Sequence, residues 1–243
     1  MRASDRAPRP LLLAIETSTR TTGVALLRGD EPIAEACGAD GATAAETLLP
    51  EIDRLLRENN VSAADLDAFA VSIGPGSFTG LRVGLATLKG LAFGSDRPVA
   101  RVPTLSALAW TSPRRDLPVA ALLDARRGEM YAAVYDLGDD GPRLRLDEGV
   151  YGPHELIPHL PSECVLVGEG AEEFGREICD QLGAGAVIAG GAASAAAVGW
   201  IGARMLARGE GVAAADLVPH YVRRAEAEVQ RTGERFELPP GSR

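Results

Sequence analysis

From Leu11 the chain alternates short apolar runs with polar turns. LLLAIE is an apolar run ending in an acid, TSTRTT is turn chemistry, and GVALLRG is a second apolar run. Two such runs joined by hydroxyl-rich turn residues predict a β-hairpin. PIAEACG reads as a third strand. In TAAETLLPEIDRLLREN, the residues Leu48, Leu49, Ile52, Leu55 and Leu56 recur at helical spacing, with Pro50 required in the first turns or at a kink. AFAVSIG follows as a buried strand, then a glycine turn, the helical stretch TGLRVGLATLKGLAF and the short strand PVARV. The order is βββαβαβ.

From Pro118 the pattern repeats. VAALLDARRGEMYAAVYDLG is again an apolar run, an acid (Asp124), a turn and a second run, and RLRLDEGVY is a third strand. HELIPHL predicts a short helix, CVLVGEG a strand with a glycine turn, AEEFGREICDQL a helix, AVIAG a strand and SAAAVGWIGARMLARG a last helix. A duplicated βββαβαβ unit predicts an α/β protein of two mixed-sheet domains with helices on the sheet faces and a cleft between them. RVPTLSALAW, with Thr104 as helix cap, is the crossing point. The expected division is a flexible start over 1–10, domains over 11–103 and 104–224, and a tail over 225–243 that is disordered in part. The last segment of the second domain is free to pack back on the first.

A length of 243 residues with 46% hydrophobic content is enough for one large core or two smaller ones. The apolar part of the start, LLLAI, is too short for a signal peptide, so a cytoplasmic protein is expected. The uncharged window from Leu182 to Ala203 is long enough to span a bilayer. It is mostly Ala and Gly, however, which contribute little insertion energy, so no membrane role is expected. Cys37, Cys164 and Cys179 are odd in number and far apart, which suggests neither a disulfide framework nor a zinc site. The net charge of −9 argues against nucleic-acid binding by the chain alone.

The stretch SIGPGSFTGLR, Ser72 to Arg82, raises the question of phosphate binding. A P-loop needs Lys-Ser/Thr after its last glycine, but Leu81 and Arg82 follow Gly80. The dinucleotide fingerprint also fails, because after Gly74 and Gly76 the next glycine arrives one position late. What remains is permissive backbone at Gly74 and Gly76, with Ser77 or Thr79 capping a helix whose free amides face an anion or simply close a tight turn. Gly80 and Gly84 lie one turn apart, with Leu88 and Leu91 on the same stripe, so this helix packs on its own sheet or also serves an interface.

LLLAIETSTRTTGVAL, VSIGPGSFTGLRVGLATLKGLAF, VPTLSALA, ALLDARRGEMYAAVY and PHYVRR, in this order over Leu11 to Arg224, resemble the TsaB (YeaZ) family. The resemblance implies the duplicated fold of actin-like ATPases and sugar kinases (RNase H/actin-like, ASKHA). It implies a non-catalytic partner of TsaD and of the ATPase TsaE in threonylcarbamoylation of the adenosine next to the anticodon in tRNAs reading codons that begin with A. It also implies a homodimer when the chain is alone, and contact with tRNA only through the complex. Older naming of the wider family as glycoprotease or metallopeptidase supplies an enzymatic alternative.

TsaD-like enzymes carry His-x-x-x-His on the helix after the third strand, but the matching GATAAETLLPEID has no histidine, and Ala44 stands where many relatives keep one. His154 and His159 are five apart and His220 stands alone, so no metal site is expected. An RNase H-type nuclease needs clustered acids; Glu16 is in place, but the strand ending at Ser72 supplies none. A nucleotide site needs two phosphate hairpins. Thr17, Ser18 and Thr19 suit the first, with Gly74, Gly76 and Ser77 beside them, while Arg126 and Arg127 occupy the room of the second and are candidates for electrostatic contact with a nucleotide, tRNA or partner, or form a solvated turn. No cofactor is required of the chain itself, and a weak ATP or ADP site at a partner interface is left open. The candidate partner surface is the helix pair carrying Leu48, Leu49, Ile52 and Leu56 on one helix and Gly80, Leu81, Gly84, Leu88 and Leu91 on the other.

Overall fold

The computed structural model describes residues 9–39 and 41–223. The expected flexibility of the first residues and of the tail therefore falls almost wholly outside the described residues. The first sheet comprises β1 (Leu11–Glu16), β2 (Gly23–Arg28), β3 (Glu31–Cys37), β4 (Ala68–Gly74) and β5 (Val99–Pro103), in the order β3-β2-β1-β4-β5. β1 to β3 run antiparallel and β4 and β5 parallel to β1. The second sheet comprises β6 (Val119–Asp124), β7 (Met130–Gly138), β8 (Gly141–Tyr151), β9 (Cys164–Val167) and β10 (Ala186–Ile188), in the order β10-β9-β6-β7-β8. Its pairings have the same senses, so the sheets share one topology.

The central strands are apolar almost throughout because both of their faces are covered. Leu11, Leu13 and Ile15 of β1 face a core built with α1 (Ala44–Glu58) and α2 (Phe78–Leu91), while Leu12 and Ala14 face α6 (Ala195–Ala207). In β6, Val119, Ala121 and Leu123 face α3 (Thr104–Trp110), and Ala120 and Leu122 face α4 (Pro153–Leu156) and α5 (Glu169–Leu182). The last helix of each repeat thus crosses over. α3 leaves the first sheet for the second, and α6 returns to the first. Trp110 of α3 and Trp200 of α6 stack at 3.9 Å where the crossings meet.

α6 explains the Ala- and Gly-rich window. A Cβ at Gly199 or Gly202 would fall on Leu27 or Ala70, and the sheet offers Ala14, Ala25, Ala70 and Ala100 to that helix. Small residues on both sides bring the helix close to the sheet. The window is divided among the end of α5, β10 and α6, and among the described residues no helix is long and apolar enough to cross a membrane. Pro50 sits in the second turn of an unbroken α1, where the carbonyl it leaves unbonded belongs to exposed Glu46.

Candidate functional site

The loops after β1 and β6 face each other across a cleft of ≈ 560 Å³. Its walls include Thr17, Ser18, Thr19 and Arg20 of the first loop, Gly76 to Gly80 at the start of α2, Asp124 and Arg126 of the second loop, and Tyr131 and Glu169.

The first loop is assembled from inside. The buried Glu16 carboxylate accepts through Oε1 from the amides of Ser18 (2.6 Å) and Thr19 (3.2 Å) and from the Ser18 hydroxyl. Thr104 Oγ1 donates to Ser18 Oγ at 2.9 Å, which makes a hydroxyl chain from the crossing helix to the carboxylate. Pro103 occupies the cap position of α3, so Thr104 spends its hydroxyl on this loop rather than on capping as expected. Burial raises the Glu16 pKa above its ordinary value, against the lowering effect of the Ser18 hydroxyl. Ser72 of β4 also acts to lower it, although Glu16 Oε2 and Ser72 Oγ fall short of hydrogen-bond geometry.

The glycine turn packs against the back of this loop. Ser77 N donates to Ser18 O at 2.7 Å, and Ser77 caps α2 by accepting from Gly80 N at 3.2 Å. A Cβ at Gly76 would fall on Ser18 O, at Gly80 on Thr17 O, and at Gly84 on Thr17 Oγ1. Gly80 and Gly84 therefore admit the chain's own hairpin and face no partner helix, which corrects the interface reading of these two residues. Leu48, Ile52, Leu56, Leu81 and Leu88 are likewise buried in the chain's own core. Of the expected surface, Leu49 is 57% exposed and Leu91 is half-buried. Helical spacing identified the buried stripe but carried no information about what buries it.

The second loop is held from its rim. Asp124 Oδ1 accepts from Arg126 N at 2.6 Å, and its other oxygen pairs with the Arg126 guanidinium at 3.2 Å. Arg126 and Arg127 have φ of 66° and 61°, in the left-handed region, ahead of Gly128. Arg20 spans the cleft from the first loop, 3.4 Å from Glu169 and 3.9 Å from Asp124.

Thr17, Ser18, Thr19, Gly76, Ser77 and Arg126 thus line one cleft. Gly74 does not: its Cα faces the His220 carbonyl. Arg127 lines an adjoining pocket of ≈ 230 Å³ with Arg223 and Tyr221. Sequence reasoning missed Arg20, Tyr131, Glu169 and Arg223 as wall residues. The position of Arg20 between two threonine pairs of the first loop was the available signal.

His154 pairs with Glu177, His159 lies against Tyr151 and His220 pairs with Glu148. Among the described residues no group of three or more His, Cys, Asp or Glu is placed to hold a metal ion.

A model of the family described as "TsaD: tRNA N6-adenosine threonylcarbamoyltransferase" matches residues 42–163. The "tRNA threonylcarbamoyladenosine biosynthesis protein TsaB" of Escherichia coli is 33% identical over 87% of this chain and 94% of its own length. The solved YeaZ from Pseudomonas aeruginosa superposes with a TM-score of 0.77 at 31% identity, over 87% of this chain and 99% of its own. Ethanolamine utilization protein EutJ from Carboxydothermus hydrogenoformans shares the fold at a TM-score of 0.50 and 14% identity, over 81% and 91% of the two chains.

Two sheets of identical topology, exchanged crossing helices and a cleft between paired loops define the two-domain actin-like (ASKHA) class. Most of its length aligns more narrowly. The chain belongs to the TsaB (YeaZ) family.

Proposed function

We propose that this chain is a non-catalytic, cytoplasmic scaffold in tRNA threonylcarbamoyladenosine synthesis. It binds a TsaD-type transferase, and through it TsaE and tRNA, and it self-associates by the same surface when alone. The observation that carries the reading is family membership across 87% of the chain. The cleft supports it. Glu16 is spent on building its own loop, Asp124 on Arg126, and Glu169 on Arg20, so each carboxylate there already has a structural partner.

The docking face is the solvent side of α1 and α2. Leu49 projects from α1, Arg82, Ala86 and Gly90 share one face of α2, and Phe93 just beyond it is 91% exposed. A Cβ at Gly90 would meet nothing, so this glycine, unlike Gly80 and Gly84, leaves space for a second helix. The occupant is a TsaD-type chain, because the TsaD family model matches residues 42–163, a range that includes both helices, and a related chain presents related helices.

Threonylcarbamoyl transfer in a mixture of the precursor-forming enzyme, TsaD and TsaE is expected to fail when this protein is omitted. Equal product without it overturns the proposal. Phe93→Asp and Leu49→Asp are expected to weaken association with TsaD by tenfold or more, on the order of 1.4 kcal/mol each, as removal of a buried apolar anchor does. ATP or ADP at the interface belongs to the same proposal. It is tested by nucleotide binding to the complex against either chain alone, with equal binding by TsaD alone counting against it.

A further inference from the structure

The chain crosses between domains twice in its backbone, before α3 and before α6, and a pair of crossings on its own leaves two domains free to swing. A third crossing is made without a covalent link to the second domain. After α6 the chain forms a bridge from Val212 to Val99 of β5 and buries Leu217 in the core under α1 and α2. It then runs beside the cleft, where His220 to Arg223 line the adjoining pocket. On the first-domain side, His220 N donates to Ile73 O at 2.7 Å, Tyr221 stacks on Phe78 at 5.0 Å, and Arg82 Nε donates to the Tyr221 hydroxyl at 3.1 Å. On the second-domain side, His220 pairs with Glu148 of β8, and Arg223, only 14% exposed, donates to Ala125 O at 2.7 Å and pairs with Glu129.

These contacts engage both lips of the cleft. The pocket beneath the segment shares Gly76, Phe78, Ala125, Arg126 and Tyr131 with the cleft itself. The passage is also built for. Gly74, at φ 120°, is the only residue type that fits there, because a Cβ would fall on the His220 carbonyl oxygen. Two motifs almost 150 residues apart in the chain are thus complementary surfaces, the glycine turn as seat and the HYVR segment as strap.

We propose that residues 217–223 are an interdomain latch that fixes the cleft at a single opening. The latch adds to the Trp110–Trp200 stack a second tie between the domains, at the cleft's edge. This inference stands apart from the scaffold reading, since it concerns the isolated chain and needs no partner.

The test uses the full chain with Cys37→Ser and spin labels at Arg28→Cys and Glu173→Cys, exposed sites on β2 and α5 away from the α1 and α2 face, with the labelled chain diluted in unlabelled chain so that only distances within one molecule are read. The latched chain is expected to give one narrow distance distribution, and Tyr221→Ala with Arg223→Ala to roughly double its width or lengthen its mean, as hinge opening does. Near-ultraviolet circular dichroism of the stacked Trp110 and Trp200, the two tryptophans of the chain, checks that each variant is folded. A broad or two-peaked distribution in the unsubstituted chain overturns the latch without any latch variant. So does an unchanged distribution in the folded double variant. If that variant unfolds, Arg223→Glu alone is compared with Arg223→Glu plus Glu129→Arg: narrowing on the swap supports the latch, and equal width in both overturns it.

Discussion

The loops after β1 and β6 occupy equivalent places in the repeated fold, yet they are stabilised from opposite sides. Each follows a strand ending in an acid, and in each the acid accepts from the amide two residues on, Glu16 from Ser18 and Asp124 from Arg126. Glu16 is sealed beneath its loop by Thr104 and α2, so its hydrogen bonds act in a desolvated setting. Asp124 lies at the rim, and its loop stands on two arginines in left-handed backbone. The Asp124 side chain is itself 11% exposed, so the loops differ in the turn above the acid, packed under α2 in the first and open to water at Arg126 to Gly128 in the second.

The largest effect that separates the loops is expected from Gly80→Ala, whose Cβ meets the Thr17 carbonyl. We expect a loss of about 3 kcal/mol in urea unfolding, at the upper end for overpacking. Gly170→Ala, near the start of α5, meets Leu122 Cβ at 2.9 Å in β6 rather than a carbonyl of the second loop and is expected to lose less, about 1–2 kcal/mol. Equal losses would break the comparison.

Glu16→Ala leaves the Ser18 and Thr19 amides without their acceptor and is expected to cost about 2 kcal/mol. Glu16→Gln sharpens this through pH. Burial raises the Glu16 pKa, so the folded chain holds the proton more tightly than the unfolded chain. The stability it contributes is complete below the unfolded value and is lost as pH rises through the raised one. Stability measured from acid to neutral pH is expected to decline less in Glu16→Gln, and an identical slope in both proteins would remove Glu16 as the cause.

Asp124→Ala, at the rim, is expected to cost about 1 kcal/mol, the value of one hydrogen bond. The smallest effect is Arg126→Gly, where relief of left-handed backbone offsets the loss of an exposed ion pair and a net change within about 0.5 kcal/mol is expected in the same titration.

The repeated βββαβαβ order was legible because strand and helix periods are local properties of the chain. TSTRTT and DARRGE were legible as paired turns, and LLLAIE as a strand covered on both faces. The sequence could not say that the glycine stripe of α2 faces Thr17, since a stripe of small residues reads alike whether it admits a partner helix or the chain's own loop. Nor could it bring PHYVRR to the glycine turn, or exchange α3 and α6 between the sheets. Those pairings join residues far apart in sequence, and only the packed chain fixes which apolar face covers which. Periodicity along the sequence therefore determined the elements and their order, while tertiary packing decided which distant segments meet beside the cleft and which helix faces stay exposed.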